Sequence, residues 1–291
     1  MKICKTIDEM RQASRAARVD GRHLGLVPTM GALHEGHLSL VRTARQRCDS
    51  VAVSIFVNPT QFGPNEDLAK YPRSFERDCQ LLEAEGVNIV FAPSDKEMYP
   101  PGSATFVTVE RLSEKLCGKS RPGHFRGVTT VVAKLFNIVQ PDVAVFGQKD
   151  AAQAVIIRRM VRDLNFGVEI VVCPIVRERD GLAMSSRNAY LDPKQRKQAL
   201  VLYRSLMRVQ FLSDKGESDA SKLIAAAQQV LGEEPEVRLD YVEIVDPETL
   251  DRVGNTSEGA LVAMAAFVGS TRVIDNILLH GSGVARGAMQ K

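Results

Sequence analysis

The sequence predicts an α/β protein that begins with a doubly wound parallel sheet and ends with a smaller α+β domain. Short apolar runs alternate with amphipathic runs as far as about residue 175, which is typical of repeated β-α-β units. After that point two amphipathic runs are followed by three strand-like runs, a pattern that favours an antiparallel sheet. We therefore expect a Rossmann-like domain over residues 1–175 and an α+β domain over residues 176–291.

The predicted strands of the first domain are short apolar runs bounded by Gly, Pro, Asn or Asp, as expected for strands buried on both faces. They cover residues 24–27, 51–57, 87–91, 143–146 and 168–173, and the predicted helices cover 38–48, 74–85, 128–139 and 151–164. Gly86 is expected to end the helix over 74–85. The second domain is predicted to contain helices 193–213 and 219–231 and strands 237–245, 260–268 and 272–279. A small, polar tail from residue 281 is expected to fray.

The composition argues against several classes of protein. The chain has 291 residues, 44% of them hydrophobic, so it can bury a sizeable core. Its net charge of only +3 gives no reason to expect a nucleic acid or a membrane as partner. The five cysteines are dispersed without a Cys-x-x-Cys pair, which favours reduced thiols in a cytoplasm. We expect neither a signal peptide nor a membrane span, because no apolar run has the required length.

The most informative segment covers residues 28–37, Pro-Thr-Met-Gly-Ala-Leu-His-Glu-Gly-His. It joins a predicted strand to a predicted helix, and His34 and His37 fall where the helix begins. A helix start offers free backbone N–H groups and the positive end of a dipole, so we expect a nucleotide phosphate there. An incidental surface pair and a metal site are the alternatives. Only Glu35 and Gly36 separate the histidines, however, which is not the His-Glu-x-x-His spacing of zinc proteases.

Two carboxamides, Asn58 and Gln61, follow the second predicted strand. A carboxamide both donates and accepts hydrogen bonds, so this pair can recognise the hydroxyls and the carboxylate of a small polar substrate. A plain turn that begins at Asn58-Pro59 is the alternative.

A second group of polar residues follows the fourth predicted strand. Gly147 permits close approach of the backbone, and Lys149 supplies a charge suited to phosphate. Asp150 can face the same ligand or simply cap the next helix. Gln153 lies one turn into that helix and can face the same ligand. The alternative is that its side chain is simply solvated.

Two further segments carry hydroxyl or basic groups. Residues 184–188 (Met-Ser-Ser-Arg-Asn) combine two hydroxyls with a guanidinium and predict a small phosphate clamp, with a plain polar loop as the alternative. Residues 121–127 (Arg-Pro-Gly-His-Phe-Arg-Gly) are typical of a basic loop that could close over an anion or could be a simple connection.

Together these segments resemble a known superfamily. A His-x-Gly-His-type turn with a later basic, Ser-containing loop is similar to the nucleotidyltransferases that include class I aminoacyl-tRNA synthetases, where the motifs are written HIGH and KMSKS. Residues 28–37, 56–62, 71–73, 121–128, 147–150 with Gln153, and 184–188 more closely resemble the pantothenate synthetase (pantoate–β-alanine ligase) family. They follow that family's order at close to its spacing.

The resemblance implies an ATP-dependent ligase that first forms pantoyl adenylate and pyrophosphate from ATP and (R)-pantoate. The amine of β-alanine then displaces AMP and gives pantothenate. The resemblance also implies Mg²⁺ bound mainly through ATP, a homodimer in the cytoplasm, no nucleic acid or membrane partner, and a C-terminal domain that acts as a lid.

The resemblance implies catalytic roles for His37, His34, Lys149 and Arg187, with His37 as the proton donor. The implied ATP-binding residues are Met30, Gly31, Ala32, Leu33, His34, Glu35, Gly36, His37, Gly147, Gln148, Lys149, Asp150, Val176, Met184, Ser185, Ser186 and Arg187. Gln61, Gln153 and Asn58 are implied to bind pantoate or β-alanine. Asp78 is similar to an acidic position near the metal, and an exposed helix charge is its alternative. Gln148 departs from the glutamate that many relatives carry.

Three rival functions are weighed against this one. A cytidylyltransferase predicts the same fold but gives no reason for pairing Gln61 with Gln153. An RNA-binding protein would need a basic stripe, which a net charge of +3 does not favour. A zinc hydrolase would need a third ligand near His34 and His37.

Overall fold

A computed structural model describes residues 1–64 and 66–281 of the chain. The strands are β1 (Lys2–Cys4), β2 (Leu24–Thr29), β3 (Ser50–Ile55), β4 (Ile89–Phe91), β5 (Val143–Gly147), β6 (Glu169–Cys173), β7 (Val237–Val245), β8 (Ala260–Val268) and β9 (Thr271–Leu279). The helices are α1 (Ile7–Ala17), α2 (Glu35–Arg47), α3 (Phe75–Ala84), α4 (Asp95–Met98), α5 (Cys117–Ser120), α6 (His124–Val139), α7 (Ala151–Asp163), α8 (Pro193–Asp214) and α9 (Ala220–Leu231). The predicted tail beyond residue 281 lies outside the described residues.

The chain divides into two compact units. The first consists of Met1–Glu114, Arg121–Gln148 and Ile156–Val176, and the second of Lys115–Ser120, Lys149–Val155 and the described part of Arg177–Lys291. Two short segments that precede residue 176 therefore belong to the second unit. The two units are therefore not separated by one boundary in the sequence.

The first unit contains a six-stranded sheet in the order β1-β4-β3-β2-β5-β6, with parallel pairing throughout. The doubly wound parallel sheet predicted from the β-α-β alternation is confirmed. The central strands β2 and β3 are buried almost along their whole length. Their side chains pack with Leu40 and Val41 of α2 and Leu82 of α3 in one apolar core, as expected for a parallel sheet covered by helices.

The order of the strands places a topological switch point beside β2. The chain proceeds from β2 to β3 and β4 on one side, and β5 and β6 pair on the other side of β2. In sheets of this kind ligands bind outside the carboxyl ends of the strands at the switch point. β2 ends at Thr29, directly before the predicted nucleotide turn, and β5 ends at Gly147. The fold thus brings two of the predicted binding segments to the edge where ligands bind.

The second unit is built on a three-stranded antiparallel sheet in the order β7-β8-β9. Leu206 of α8 and Leu223 of α9 are fully buried against Val262 and Met264 of β8 in its core. Asp192 caps α8 and forms a capping box with Gln195, which fixes where that helix begins. The predicted smaller α+β domain is confirmed as a fold class.

Every strand and helix predicted from the pattern is present, with ends that differ by no more than a few residues. Gly86 adopts a left-handed conformation (φ +71°) directly after Glu85, the C-cap of α3, as predicted for the end of that helix. The sequence interpretation missed β1, α1 and the one-turn helices α4 and α5. Thr6 and Glu9 form a capping box at the start of α1, and this Thr-x-x-Glu pattern was the signal that could have found the helix.

Two findings bear on the expectations drawn from composition. All five cysteines are free thiols, as their dispersed positions predict. None of the described helices combines the length and the apolar character needed to cross a bilayer.

Candidate active site

The turn between β2 and α2 has an unusual backbone. Gly31 and Ala32 both lie in the left-handed region, with φ values of +80° and +50°. A non-glycine residue such as Ala32 reaches that region only when its surroundings hold it there. The Gly31 N–H donates to Thr29 Oγ1 at 3.2 Å, so the turn is tied to the end of β2 at its first residue.

Asp78 of α3 supplies the acceptors for the next two N–H groups of this turn. Its Oδ2 accepts from the Ala32 N–H at 2.8 Å, and its Oδ1 accepts from the Leu33 N–H at 2.9 Å. The Ser74 hydroxyl also donates to Oδ1, at 3.1 Å. Asp78 is 0% exposed, so the alternative of an exposed helix charge is wrong.

The same placement bears on the metal role that the resemblance implied for Asp78. Both of its oxygens are engaged by the turn, and neither is open to solvent. Within residues 1–64 and 66–281 there is also no group of three or more His, Cys, Asp and Glu side chains that could hold a metal ion. The Asp78 carboxylate is therefore already used by the turn and does not fit a resident metal.

His34 and His37 form a capping box at the start of α2. The Nδ1 atom of His34 accepts from the Gly36 N–H at 3.1 Å, and Nδ1 of His37 accepts from the His34 N–H at 3.4 Å. The ring centroids are 4.1 Å apart. Because Nδ1 accepts in both rings, the neutral form of each carries its proton on Nε2. The two imidazoles therefore have a defined tautomer with Nε2 as the donor atom.

This capping corrects part of the prediction made from the helix start. The N–H groups of Ala32, Leu33 and Gly36 were expected to be free for a phosphate, but they donate to Asp78 and to His34. The turn is therefore fixed by hydrogen bonds within the protein. The groups that it positions as hydrogen-bond donors are the imidazoles of His34 and His37.

Asn58 follows β3 and is 1% exposed. Its Nδ2 donates to Gln61 Oε1 at 3.0 Å and to the Gly127 carbonyl at 3.1 Å. Its Oδ1 accepts from the Thr60 hydroxyl and from the Tyr99 hydroxyl, each at 2.9 Å. Both donor positions of Asn58 are thus used inside the protein. Its carboxamide thus orients the Pro59–Gln61 turn and the Gln61 side chain, and a contact of Asn58 with substrate stays a prediction.

Gly127 allows helix α6 to approach that turn closely. A Cβ atom at Gly127 would lie 2.3 Å from the Thr60 carbonyl oxygen and 2.6 Å from Gln61 Cα, which no real side chain tolerates. Glycine is therefore required at this position by the packing of the turn against the helix.

The segment predicted as a basic loop is instead the first turn of α6 and its approach. Arg121 forms an ion pair with Glu66 at 2.6 Å, and the Arg126 guanidinium stacks on the Phe106 ring. Burial raises the pKa of Glu66, but hydrogen bonds and charge from Arg121 outweigh this and lower it overall. His124 Nδ1 lies 2.8 Å from the Gln61 carbonyl oxygen. These basic groups are engaged by the protein itself, and the segment is largely helical rather than an open loop.

The two turns meet through Gln61. Its Oε1 accepts from Asn58, and its Nε2 donates to Met30 Sδ at 3.1 Å. The carboxamide predicted to bind an acid substrate therefore touches the first residue of the turn predicted to bind ATP. This contact lies within the first unit, at the carboxyl edge of its sheet.

Lys149 belongs to the second unit, where β9 fixes its backbone. The Asn276 side chain donates to the Lys149 carbonyl at 2.9 Å, and Lys149 Nζ lies 3.7 Å from Asp150 Oδ2. Next to Asn276, the buried Asp275 forms a bidentate pair with Arg177 at 2.6 Å and 2.9 Å. Burial raises the pKa of Asp275, and the pairing with Arg177 offsets part of that rise. Sequence reasoning missed this pair, although two adjacent polar residues inside an apolar strand were a signal.

Residues 184–188 form the start of a short 3-10 helix, Ser186–Tyr190, rather than an open loop. Ser185 caps it by accepting from the Arg187 N–H at 3.3 Å, and Asn188 donates to the Ala183 carbonyl at 3.1 Å. Arg187 is half-buried on this turn. The local backbone of the predicted phosphate clamp is thus fixed by its own side chains.

The remaining predicted residues are placed as follows. Gly147 ends β5, and a Cβ added to it would meet no described atom within 4 Å, so protein packing does not demand glycine there. Gln148, Gln153, Val176 and Met184 are half-buried, whereas Glu35 and Asp150 are exposed, and Glu35 pairs with Arg42.

Comparison with known proteins decides between the candidate families. The sequence model of the "Pantoate-beta-alanine ligase" family matches residues 2–278. The pantothenate synthetase of Koribacter versatilis is 63% identical over 287 residues, which cover 99% of each chain. The chain belongs to the pantoate–β-alanine ligase family. It is therefore an enzyme of the ligase class, and the resemblance drawn from the motifs is confirmed.

Solved structures of this ligase family have the same fold. The crystal structure of the pantothenate synthetase from Thermus thermophilus is similar with a TM-score of 0.91 and 49% identity, covering 95% of this chain and 99% of that one. The Francisella tularensis pantoate–β-alanine ligase, solved in complex with "Beta-gamma ATP and Beta-alanine", is similar with a TM-score of 0.80 and 34% identity. That comparison covers 96% of this chain and 97% of the Francisella chain. The likeness thus extends over both units of this ligase.

Proposed function

We propose that this ligase condenses (R)-pantoate with β-alanine at the expense of ATP, as a step in the biosynthesis of pantothenate. A pantoate carboxylate oxygen attacks the α-phosphorus of ATP, pyrophosphate leaves, and pantoyl adenylate forms. The amine of β-alanine then attacks the acyl carbon, loses a proton, and displaces AMP. Activation as an adenylate is needed because a free carboxylate is a poor acyl donor. The Francisella relative with an ATP analogue and β-alanine supports this set of substrates.

The observation that carries this proposal is the contact between Gln61 and Met30. Adenylation requires that the acid and the nucleotide be bound side by side, in an orientation that allows attack. The Gln61 carboxamide, a suitable partner for a hydroxyl or a carboxylate, lies 3.1 Å from Met30 Sδ in the turn assigned to ATP. Asn58 holds Gln61 Oε1, so the orientation of the carboxamide is set before a substrate arrives. Gln153 of α7 is assigned to pantoate with Gln61.

The two histidines are assigned to the phosphates of ATP. With Nδ1 of each ring used as an acceptor, Nε2–H is the group that donates to a phosphate oxygen. As charge builds on the leaving pyrophosphate, His37 acts as the proton donor from its imidazolium form: it gives up the Nε2 proton and becomes a neutral ring that keeps its proton on Nδ1, so its contact with the His34 N–H is released while it is protonated. His34 stabilises the charge through its Nε2–H. Met30 to Leu33, Glu35 and Gly36 complete this part of the ATP site.

The second unit supplies positive charge in this proposal. Lys149 and Arg187 are assigned to neutralise the negative charge that develops on pyrophosphate, with the help of Ser185 and Ser186. The backbone near Gly147 and Val176 is assigned to bind the ribose and adenine of ATP. Gln148, Asp150 and Met184 are assigned to the same part of the ATP site. The open space beside Gly147 is consistent with a ligand that approaches the main chain there.

The setting of the reaction is proposed on the same basis. ATP enters with Mg²⁺ bound mainly by its phosphates and by water, as is usual for this ion in phosphate-binding sites. We place the enzyme in the cytoplasm, in keeping with its free thiols, and expect a homodimer from the resemblance drawn from its motifs. Residues 1–175 bind nucleotide and pantoate in this scheme, and residues 176–291 act as a lid.

The test is isotope exchange between pyrophosphate and ATP, with pantoate and Mg²⁺ present and β-alanine absent. Exchange that depends on pantoate is the expected result, because adenylation is then reversible in the absence of the amine. A folded sample that binds ATP but shows no exchange with pantoate would overturn the substrate assignment and leave the fold and family standing.

A further inference from the structure

The start of helix α3 is bound to the nucleotide turn through Asp78. The carboxylate accepts from the N–H groups of Ala32 and Leu33, at 2.8 Å and 2.9 Å. Those residues are more than forty positions away in the sequence, so the contact is tertiary and not a helix cap. Arg77 adds a third connection by donating to the Leu33 carbonyl at 3.4 Å.

We propose that Asp78 is a positioning residue for adenylation, and that it acts through the turn rather than through a metal ion. By holding two successive N–H groups, it fixes the left-handed conformation of Ala32 and the point at which α2 begins. The position of His34 and His37 follows from that point, because both imidazoles belong to the cap of α2. This assignment rests on the proposed function, in which those rings contact the phosphates of ATP.

Three features support a positioning role for Asp78. The carboxylate is fully buried, and its two acceptor atoms are divided between two adjacent peptide groups, so it constrains the angle of the turn as well as its distance. Ser74 donates to Oδ1 at 3.1 Å and thereby limits the side chain to this orientation. A Cβ atom at Gly31 would lie 3.1 Å from Asp78 Oδ2, so the turn packs directly against the carboxylate.

The same contacts account for the conformation of the turn. Ala32 lies at φ +50°, a conformation that persists only when contacts around it over-determine it. In this ligase those contacts come from α3, so the imidazoles are placed before ATP binds. Pre-organised donors cost no rearrangement when charge develops in the transition state.

The test compares Asp78→Asn with Glu76→Gln. Both variants remove one carboxylate from the first turn of α3, but Glu76 is exposed, so the loss of charge at the helix start is matched. In Asp78→Asn the new N–H₂ group faces a backbone N–H, and one of the two bonds to the turn is lost. Pantoate-dependent exchange between pyrophosphate and ATP, and amide hydrogen exchange at Ala32 and Leu33, are measured for each protein.

We expect Asp78→Asn to lower the rate of pantoate-dependent exchange at saturating substrates by about tenfold or more, since one lost hydrogen bond corresponds to roughly that factor. Faster amide exchange at Ala32 and Leu33 should accompany it, with Glu76→Gln behaving as the parent protein. Unchanged exchange rates in folded Asp78→Asn would overturn the positioning role. Failure of the parent protein itself to show pantoate-dependent exchange would instead count against the proposed function.

A second variant covers the case in which Asp78→Asn does not fold. Ser74→Ala removes only the hydroxyl that donates to Asp78 Oδ1, and it leaves both backbone bonds in place. We expect a smaller loss of rate, about threefold, together with faster amide exchange at Leu33. If Ser74→Ala matches the parent protein in both measurements, the carboxylate does not need to be held for the turn to work, and the proposal is wrong.

Discussion

The turn after β2 and the turn after β3 both lie at the carboxyl edge of the first unit's sheet, but they are fixed in different ways. The first is held from a distance, because Asp78 of α3 accepts from its N–H groups. The second is held mainly by its own first residue, since Asn58 bonds to Thr60 and Gln61 within the turn. The two turns meet where Gln61 contacts Met30.

In the proposed reaction the two turns have different roles. The turn after β2 carries imidazoles whose donors act on the charge of the transition state, so damage there should lower turnover. The turn after β3 carries a carboxamide that binds pantoate in the ground state, so damage there should weaken pantoate binding. In each turn a buried group that touches no substrate in this scheme sets the orientation of one that does.

Replacement of His37 by alanine should have the largest effect. In the proposed mechanism the variant loses the proton donor and an Nε2–H group that contacts the phosphates, and acid catalysis with charge stabilisation typically supplies about a hundredfold or more in rate. We expect turnover to fall by at least that factor. Steady-state kinetics with ATP, pantoate and β-alanine measure it.

A matched control for this variant is His23→Ala, which removes an exposed imidazole from the same unit. It should keep the activity of the parent protein. Nearly unchanged turnover in a folded His37→Ala protein would remove His37 from the mechanism and contradict the different roles proposed for the two turns.

Gly127→Ala should have the next largest effect, and it acts on the turn after β3. In an ordinary helix alanine is favoured over glycine by up to about 1 kcal/mol. Here the added Cβ would lie 2.3 Å from the Thr60 carbonyl oxygen, and relieving such overpacking costs about 1–3 kcal/mol. We therefore expect a lower melting temperature together with a raised KM for pantoate, because Gln61 moves with Thr60.

Gly167→Ala is the control for that substitution. A Cβ at Gly167 would meet no described atom within 4 Å, so the same chemical change introduces no clash. The control should unfold at the temperature of the parent protein and keep its KM for pantoate. A Gly127→Ala protein that is as stable as the control would show that α6 and the turn are not in tight contact.

Gln61→Ala sharpens the comparison further, because it removes the carboxamide without disturbing the backbone of the turn. A lost hydrogen bond to a bound substrate costs roughly 1–3 kcal/mol, and we expect that cost to appear in the KM for pantoate. The KM for ATP should change little. Gln80→Ala, on the exposed side of α3, is the control. Weakened ATP with an unchanged requirement for pantoate would reverse the assignments of the two turns.

Much of the fold could be predicted because each element carries a local signal. The strands of the parallel sheet are apolar runs between turn residues, and helices such as α3 end at glycine. The signals weakened at the N-terminus, where β1 has only three residues and is too short to show a period. Helix α6 begins at His124, whereas the pattern predicted a start at residue 128. The prediction was late because the polar first turn beside Gly123 has the composition of a loop.

The candidate site was predicted less completely, since its orientation depends on tertiary contacts. Motifs identified His34, His37 and Gln61, but no local pattern shows that Asp78 reaches the turn from another helix. Asn58 was expected to contact substrate because a carboxamide at a strand end has that chemistry. Only the three-dimensional arrangement shows that Gly127 and Tyr99 use up its hydrogen bonds.

Tyr99→Phe should have the smallest effect, and it tests whether the orientation of Asn58 is transmitted to Gln61. Burial raises the pKa of the Tyr99 phenol, so it remains protonated at neutral pH and donates to Asn58 Oδ1 at 2.9 Å. Its loss should cost about 0.5–1.5 kcal/mol of stability, since Thr60 still donates to the same oxygen.

The KM for pantoate should rise by up to about tenfold in Tyr99→Phe, because Asn58 is then less firmly held beside Gln61. Tyr203→Phe, which changes a tyrosine of the second unit beside Arg177, is the control and should leave that KM unaltered. A Tyr99→Phe protein that is less stable but binds pantoate as well as the parent would mean that Asn58 supports only the turn. Gln61 would then owe its orientation to its own contact with Met30.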